Sequence, residues 1–160
     1  RSLAFLATKD FNHAREDAEV VIKLKPDWSK GYLRHGTALE GLLQYPQAYA
    51  AYETGLKVEP GNVNLQKAAD TLSALLEELK IEKSKVNADQ PDNPDGDKFE
   101  NMVQWLRDGG ALFPKLYLQY YSEDYRGVHC LAKVPEDDVV LYVPHKYIMT
   151  SEVAKSSEIG

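Results

Sequence analysis

Pro26 and Pro60 lie 34 residues apart, and the residues before them repeat in register. Ala14 matches Ala48, Ile22 matches Leu56, Leu24 matches Val58, and Phe11 matches the equally aromatic Tyr45. A period of about 34 residues is the length of one helix–turn–helix unit of the kind that stacks into solenoids. Such a unit cannot bury its apolar face alone, so neighbouring units must pack side by side around a curved groove. The register therefore points the first half toward recognition, and any chemistry has to come from elsewhere in the chain.

The 160 residues suffice for one domain or two small ones. The net charge of −6 argues against a nucleic-acid partner held by phosphate neutralisation. Cys130 is the one cysteine, so no internal disulfide can form, which fits a reducing cytoplasmic or nuclear setting. No run approaches the roughly 18 apolar residues of a membrane span, and no secretory leader is visible. Arg1 falls where a first helix should already be under way, so the chain is expected to be a piece of a longer protein.

The better-preserved unit reads Tyr32-x-x-His35-Gly36-x-x-Leu39, then Ala48-x-x-x-Tyr52, then Pro60. This resembles the tetratricopeptide pattern, with departures at His35, usually Leu, and Leu39, usually Tyr. Residues 2–8 read as the remainder of one first helix and 11–24 as its partner. Asp27 is a candidate N-cap for a helix from Trp28 to about Leu43. Gly36 and Ala48 are small where the two helices of a unit must cross closely, and Pro46 suits a first turn. Asn62 can cap a third helix carrying Leu65, Ala69, Leu72, Leu75, Leu76 and Leu79, with a charge-rich far end that suits a solenoid cap. The expectation for residues 1–86 is an α-helical tetratricopeptide solenoid of antiparallel helix pairs closed by a capping helix.

Lys30 and Arg34 stand four residues apart, on one helix face and one turn from each other. Spacing leaves two readings open, a solvated charge pair or a site for an acidic peptide terminus through two charge-assisted hydrogen bonds. The run Lys25-Pro26-Asp27-Trp28-Ser29-Lys30-Gly31-Tyr32-Leu33-Arg34 closely resembles the tetratricopeptide domains of the heat-shock organising co-chaperones. Arg1-Ser2-Leu3-Ala4-Phe5 is similar to that family's Asn-Arg-Ser helix start, and the likeness covers about residues 1–60. It implies that Lys30 and Arg34 belong to a clamp on the C-terminal carboxylate and acidic side chains of a cytosolic chaperone. The clamp's asparagine would fall just before Arg1, and two further clamp positions would belong to an earlier repeat.

Residues 87–97 read Asn-Ala-Asp-Gln-Pro-Asp-Asn-Pro-Asp-Gly-Asp. Asp89, Asp92, Asp95 and Asp97 imitate the alternation of a calcium loop. However, Gly96 is misplaced for one and no glutamate follows at the twelfth position, so an acidic linker is the better reading. Beyond it, Phe99, Met102, Val103 and Leu106 form the stripe of a short helix that stops at Asp108-Gly109-Gly110. Extended segments are expected over 115–121, 127–132 and 139–143, with a turn at Pro135-Glu136-Asp137-Asp138. A final short helix, capped by Thr150 or Ser151, would carry Val153, Ala154 and Ile159. These residues form a small core that should need additional chain.

This order is similar to the N-terminal segment of SET-domain methyltransferases of the Rubisco-methyltransferase and actin-histidine-methyltransferase type. The matching pieces are Trp105-Leu106 with Gly109-Gly110-Ala111, Gly127-Val128-x-x-Leu131-Ala132, Val139-Val140-Leu141-Tyr142-Val143-Pro144, Met149-Thr150 and Ala154-x-x-Ser157-x-Ile159-Gly160. The resemblance implies that residues 98–160 form a small α+β segment that begins a SET domain. It also implies methyl transfer from S-adenosylmethionine to a protein lysine or histidine in the full-length protein. Where the family has Gly-x-Gly this chain has Tyr125-Arg126-Gly127, so only Arg126 and Gly127 carry over as cofactor-binding positions. The family's later Asn-His segment and catalytic tyrosine have no counterpart here, so no catalytic residue is assigned and the chain alone is not expected to be active. A non-enzymatic co-chaperone or scaffold is the alternative, as is a solenoid that packs on its own second half. His13, His35, His129 and His145 lack metal-ligand spacing. His129 and Cys130 should face opposite sides of a strand, with Cys130 in the core, and Tyr117, Tyr120, Tyr121 and Tyr125 should pack a β layer.

Overall fold

The computed structural model describes residues 2–88, 96–122 and 125–148. Helices α1 (Ser2–Ala7), α2 (Phe11–Leu24), α3 (Ser29–Gly41), α4 (Tyr45–Val58) and α5 (Val63–Ala88) come first. They pack in sequence, each against the next as far as α5, with α1 also touching α3. The first half is thus a helical solenoid built of paired helices, in the register expected from the two prolines. Phe11 and Tyr45 open α2 and α4, and Ala14 and Ala48, one turn further on, are both completely buried.

The α3–α4 crossing explains the small residues. A Cβ on Gly36 would fall inside the van der Waals envelope of the Tyr52 ring, which is fully buried. The Tyr52 hydroxyl donates to Glu40 Oε1 at 2.5 Å, so the phenol is buried with its polar end satisfied. Burial raises the Glu40 carboxyl pKa, and the Tyr52 hydrogen bond moderates the shift. His35 turns the other way, to α2, with Nε2 at 3.6 Å from Glu19 Oε1; burial lowers its pKa despite that carboxylate.

Helix ends follow local chemistry. Asp10 caps α2, its carboxylate accepting from the His13 N–H and ring. Asn62 caps α5, its Oδ1 accepting from the N–H groups of Asn64 and Leu65 at 3.1 and 3.2 Å. Pro46 sits in the first turn of α4. The expected Asp27 cap is not formed. Trp28 holds the N-cap position of α3 without a side-chain hydrogen bond, and the helix begins at Ser29. Leu65, Ala69, Leu72 and Leu79 of α5 are buried, so the long final helix closes the solenoid as a cap should.

Helix α6 (Gly96–Asp108) starts three residues before Phe99 and ends in a turn where Gly110 has φ +94°, a left-handed geometry that suits glycine. Phe99, Val103 and Leu106 are half-buried while Met102 is exposed. Strands β1 (Leu116–Ser122) and β2 (Tyr125–Cys130) form an antiparallel hairpin, pairing Leu116 with Cys130 and Leu118 with Val128. Asp137, with the Asp138 N–H bonded to the Pro135 carbonyl, makes the expected turn.

Two expectations fail here. Residues 139–143 do not form a strand; their pairing is a single antiparallel bridge between Tyr142 and Leu112, and Val139, Leu141 and Tyr142 are about half exposed. Their β-branched, apolar character favours extension but supplies no ladder partner. Cys130 is exposed rather than in the core, as is Val128 two residues before it on the same strand. Tyr120 is buried and Tyr117 packs on the core, as a β layer requires, whereas Tyr121 lies near the surface. The residues proposed for the final helix, including Thr150, Ser151, Val153, Ala154 and Ile159, lie outside the described residues, as do 89–95 of the linker.

The second half is seated on the first. Leu131 and Ala132, just after β2, join the same buried cluster as Leu43, Tyr45 and Leu79. Lys115 is buried beside them, ion-paired with Asp138 and 5.8 Å from the Tyr45 ring centroid. Burial pulls the Lys115 pKa down, but the Asp138 hydrogen bond and the Tyr45 side chain outweigh it and the net shift is upward. A lysine raised in the folded state stabilises fully below its unfolded pKa and loses that contribution as pH climbs through the folded value.

Two substitutions check this packing. Gly36→Ala should cost about 1–3 kcal/mol in urea unfolding, because the Tyr52 ring must yield; a variant as stable as wild type would mean the crossing is loose. Lys115→Met should cost about 1–3 kcal/mol at neutral pH. Its deficit should shrink as pH rises above the ordinary lysine range, and a pH-independent deficit would assign the loss to packing alone.

Candidate peptide-binding face of the third helix

The face of α3 that carries Lys30 and Arg34 is defined by what the other faces do. Gly31 and His35 meet α2, since a Cβ on Gly31 would sit 3.3 Å from both Val21 Cγ1 and Ile22 Cγ1. Tyr32, Gly36 and Glu40 meet α4 through Gly55 and Tyr52. At 100° per residue, Lys30, Arg34 and Thr37 fall between these two contact sides. Lys30 and Thr37 are exposed, Arg34 is half-buried, and neither cation is ion-paired with a described residue. The two are therefore brought together on one open face, about 6 Å apart along the axis.

Both cations have an organised surrounding. The Arg34 guanidinium lies over the Trp28 ring, with Cζ 5.1 Å from the ring centroid. Trp28 Cε3 is in turn 3.9 Å from where a Gly31 Cβ would stand, so the ring rests on the start of the helix. The Tyr32 hydroxyl donates to the Pro26 carbonyl at 3.0 Å and ties the preceding turn to α3. On the Lys30 side, buried Ser29 donates to the Glu59 carboxylate, and Asn62 Nδ2 donates to the same oxygen at 2.9 Å. Those hydrogen bonds, Ser29 first, lower the Glu59 pKa, with a smaller contribution from the Lys30 charge. Glu59 is thus engaged at the α4–α5 turn by Ser29 and Asn62, and no described residue lies within ion-pair distance of the Lys30 ammonium. Two cations so arranged can bind paired carboxylates by donating charge-assisted hydrogen bonds.

The cofactor positions inferred from sequence lie far along the chain, in β2. Arg126 pairs with Tyr120 and Gly127 with Gln119 across the hairpin. A Cβ at Gly127 would lie 3.3 Å from Tyr121 Cε2, so the room beside this glycine is taken by the tyrosine ring. His129 and Cys130 face opposite sides, as alternation requires; the His129 ring bonds to the Tyr121 hydroxyl on one face, and Cys130 is exposed. Among the described residues no group of three or more His, Cys, Asp or Glu side chains could hold a metal ion, and no helix is long and apolar enough to cross a membrane.

Two participants were not legible from spacing. Trp28 lies six residues before Arg34, a separation at which helical neighbours do not meet; it reaches Arg34 because it stands at the N-cap, outside the helix. Lys115 and Asp138 meet only through tertiary packing.

Comparison with known proteins finds relatives over part of the chain. The chain is 44% identical over 70 residues to "Protein STIP1 homolog" of Dictyostelium discoideum, covering 44% of this chain and 12% of that protein. It is 46% identical over 66 residues to "Hsp70-Hsp90 organizing protein" of Triticum aestivum, covering 41% of this chain and 11% of that one. It is 40% identical over 85 residues to "Hsp70-Hsp90 organising protein" of Plasmodium falciparum, covering 53% and 32%. The chain thus spans about a tenth to a third of the length of these curated relatives. "Tetratricopeptide repeat protein 28" of Mus musculus is 37% identical over 65 residues, covering 41% of this chain and 3% of that protein. No family model matches, and no solved structure matches. The likeness supports a tetratricopeptide region resembling that of the organising co-chaperones.

Proposed function

We propose that residues 1–86 are a peptide-binding adaptor whose ligand is the acidic C-terminal tail of a protein partner, held by Lys30 and Arg34. The observation that carries this reading is the pair of cations with no ion-pair partner among the described residues, one turn apart on the face of α3 that packs on neither α2 nor α4. The relatives named as Hsp70-Hsp90 organising proteins add a partner class, a heat-shock chaperone. The rival in which the solenoid only supports its own second half does not compete for the same surface. The second half sits at the α3–α4 turn by Leu43 and Tyr45, about 20 Å along α3 from Lys30.

For residues 98–160 the reading is the N-terminal segment of a SET-domain protein methyltransferase, supported by the order of helix, glycine turn and hairpin. S-adenosylmethionine and methyl transfer would then belong to a longer protein. A non-enzymatic co-chaperone or scaffold is the other reading, and the relatives' names favour it for the first half.

Titration with a short peptide ending in a run of acidic residues tests the adaptor. Lys30→Ala/Arg34→Ala should weaken binding roughly tenfold to a hundredfold. Added salt should weaken the wild type more than the double variant. Equal affinity of the two proteins would end the proposal. Incubation of the chain with labelled S-adenosylmethionine and acceptor protein should give no transfer, and measurable transfer would place catalytic groups within these 160 residues.

A further inference from the structure

Trp28 is half-buried, and its ring lies under the one arginine of the proposed site. An arginine side chain on a helix face samples many rotamers, and fixing it on ligand binding costs conformational entropy. A guanidinium resting on an aromatic face has already lost much of that freedom, and the cation–π attraction offsets the loss before any ligand arrives. The ring occupies one side of the guanidinium, so the N–H donors turned away from it are the ones a ligand would meet.

Trp28 is itself held. It stands at the N-cap position, where the backbone is extended, and its ring edge rests against Gly31, where a side chain would crowd Val21 and Ile22. The turn that presents it is tied by the Tyr32–Pro26 hydrogen bond. From this arrangement we infer that Trp28 is a positioning residue of the peptide site, presetting Arg34 to take a carboxylate edge-on through two N–H donors. The inference rests on the adaptor reading above and adds to it a residue that need not touch the peptide. It also assigns Arg34 a role that lysine cannot fill, because an ammonium offers neither a planar face to stack nor a forked edge.

A double-mutant cycle on the whole chain, with the acidic peptide as probe, tests this. Trp28→Leu should weaken binding roughly twofold to tenfold, Trp28→Phe should recover most of that loss, and Arg34→Lys should weaken binding although charge is kept. In the Arg34→Ala background, Trp28→Leu should have no further effect, because its only route to the ligand has been removed. Unfolding midpoints measured in parallel separate this from simple destabilisation. If Trp28→Leu weakens binding by the same factor with and without Arg34, or leaves wild-type binding unchanged while Lys30→Ala weakens it, the positioning role is overturned and the adaptor reading stands. If neither Lys30→Ala nor Arg34→Ala weakens binding, both fall together.

Discussion

The close approach of α3 and α4 sets the geometry on which everything else in the first half depends. Gly36 presents bare backbone, Tyr52 fills the space, and Glu40 accepts the hydrogen bond of the buried phenol. Helices that approach this closely leave no latitude in rotation. The turn of α3 that puts Gly36 against Tyr52 also puts Gly31 and His35 against α2, and Lys30 and Arg34 are left to face outward. The proposed peptide site is thus a consequence of core packing. It is built on a rigid element, which is where a recognition site is held most accurately.

A polar junction fixes the other end of the solenoid. Ser29, Glu59 and Asn62 lock the start of α3 to the α4–α5 turn, and Asn62 caps α5 with its remaining oxygen. One asparagine side chain therefore serves two purposes, ending one repeat and starting the capping helix. The same network occupies Glu59, the carboxylate whose charge reaches Lys30. Were Glu59 released, it could neutralise the cation on which the adaptor reading relies.

The helical half was legible because its signals are local. Proline and glycine punctuation, the 34-residue register and the spacing of small residues located five helices; the start of α3 was misassigned, at Asp27, and α5 runs on to Ala88, two residues into the expected linker. The likeness to the organising co-chaperones likewise rested on a contiguous run of residues. The second half resisted for a physical reason. Residues 139–143 have the composition of a strand, but a strand exists only where another backbone offers its hydrogen bonds, and Leu112 supplies one bridge. Cys130 could not be placed for the same reason, since burial on a sheet face depends on what covers it. Trp28 escaped because its partner lies beyond the reach of helical spacing, and Lys115 because burial of a lysine is unreadable until Asp138 is seen beside it.

The shared cluster at the α3–α4 turn has a bearing on how this molecule can be divided. Leu43, Tyr45 and Leu79 are dry because Leu131 and Ala132 lie in the same cluster. A truncation ending after α5 would strip that cover and present an oily patch at the far end of the repeats. Such a piece invites self-association, and a concentration-dependent artefact could then be mistaken for partner binding. The natural unit for handling this protein is therefore the solenoid with its hairpin attached.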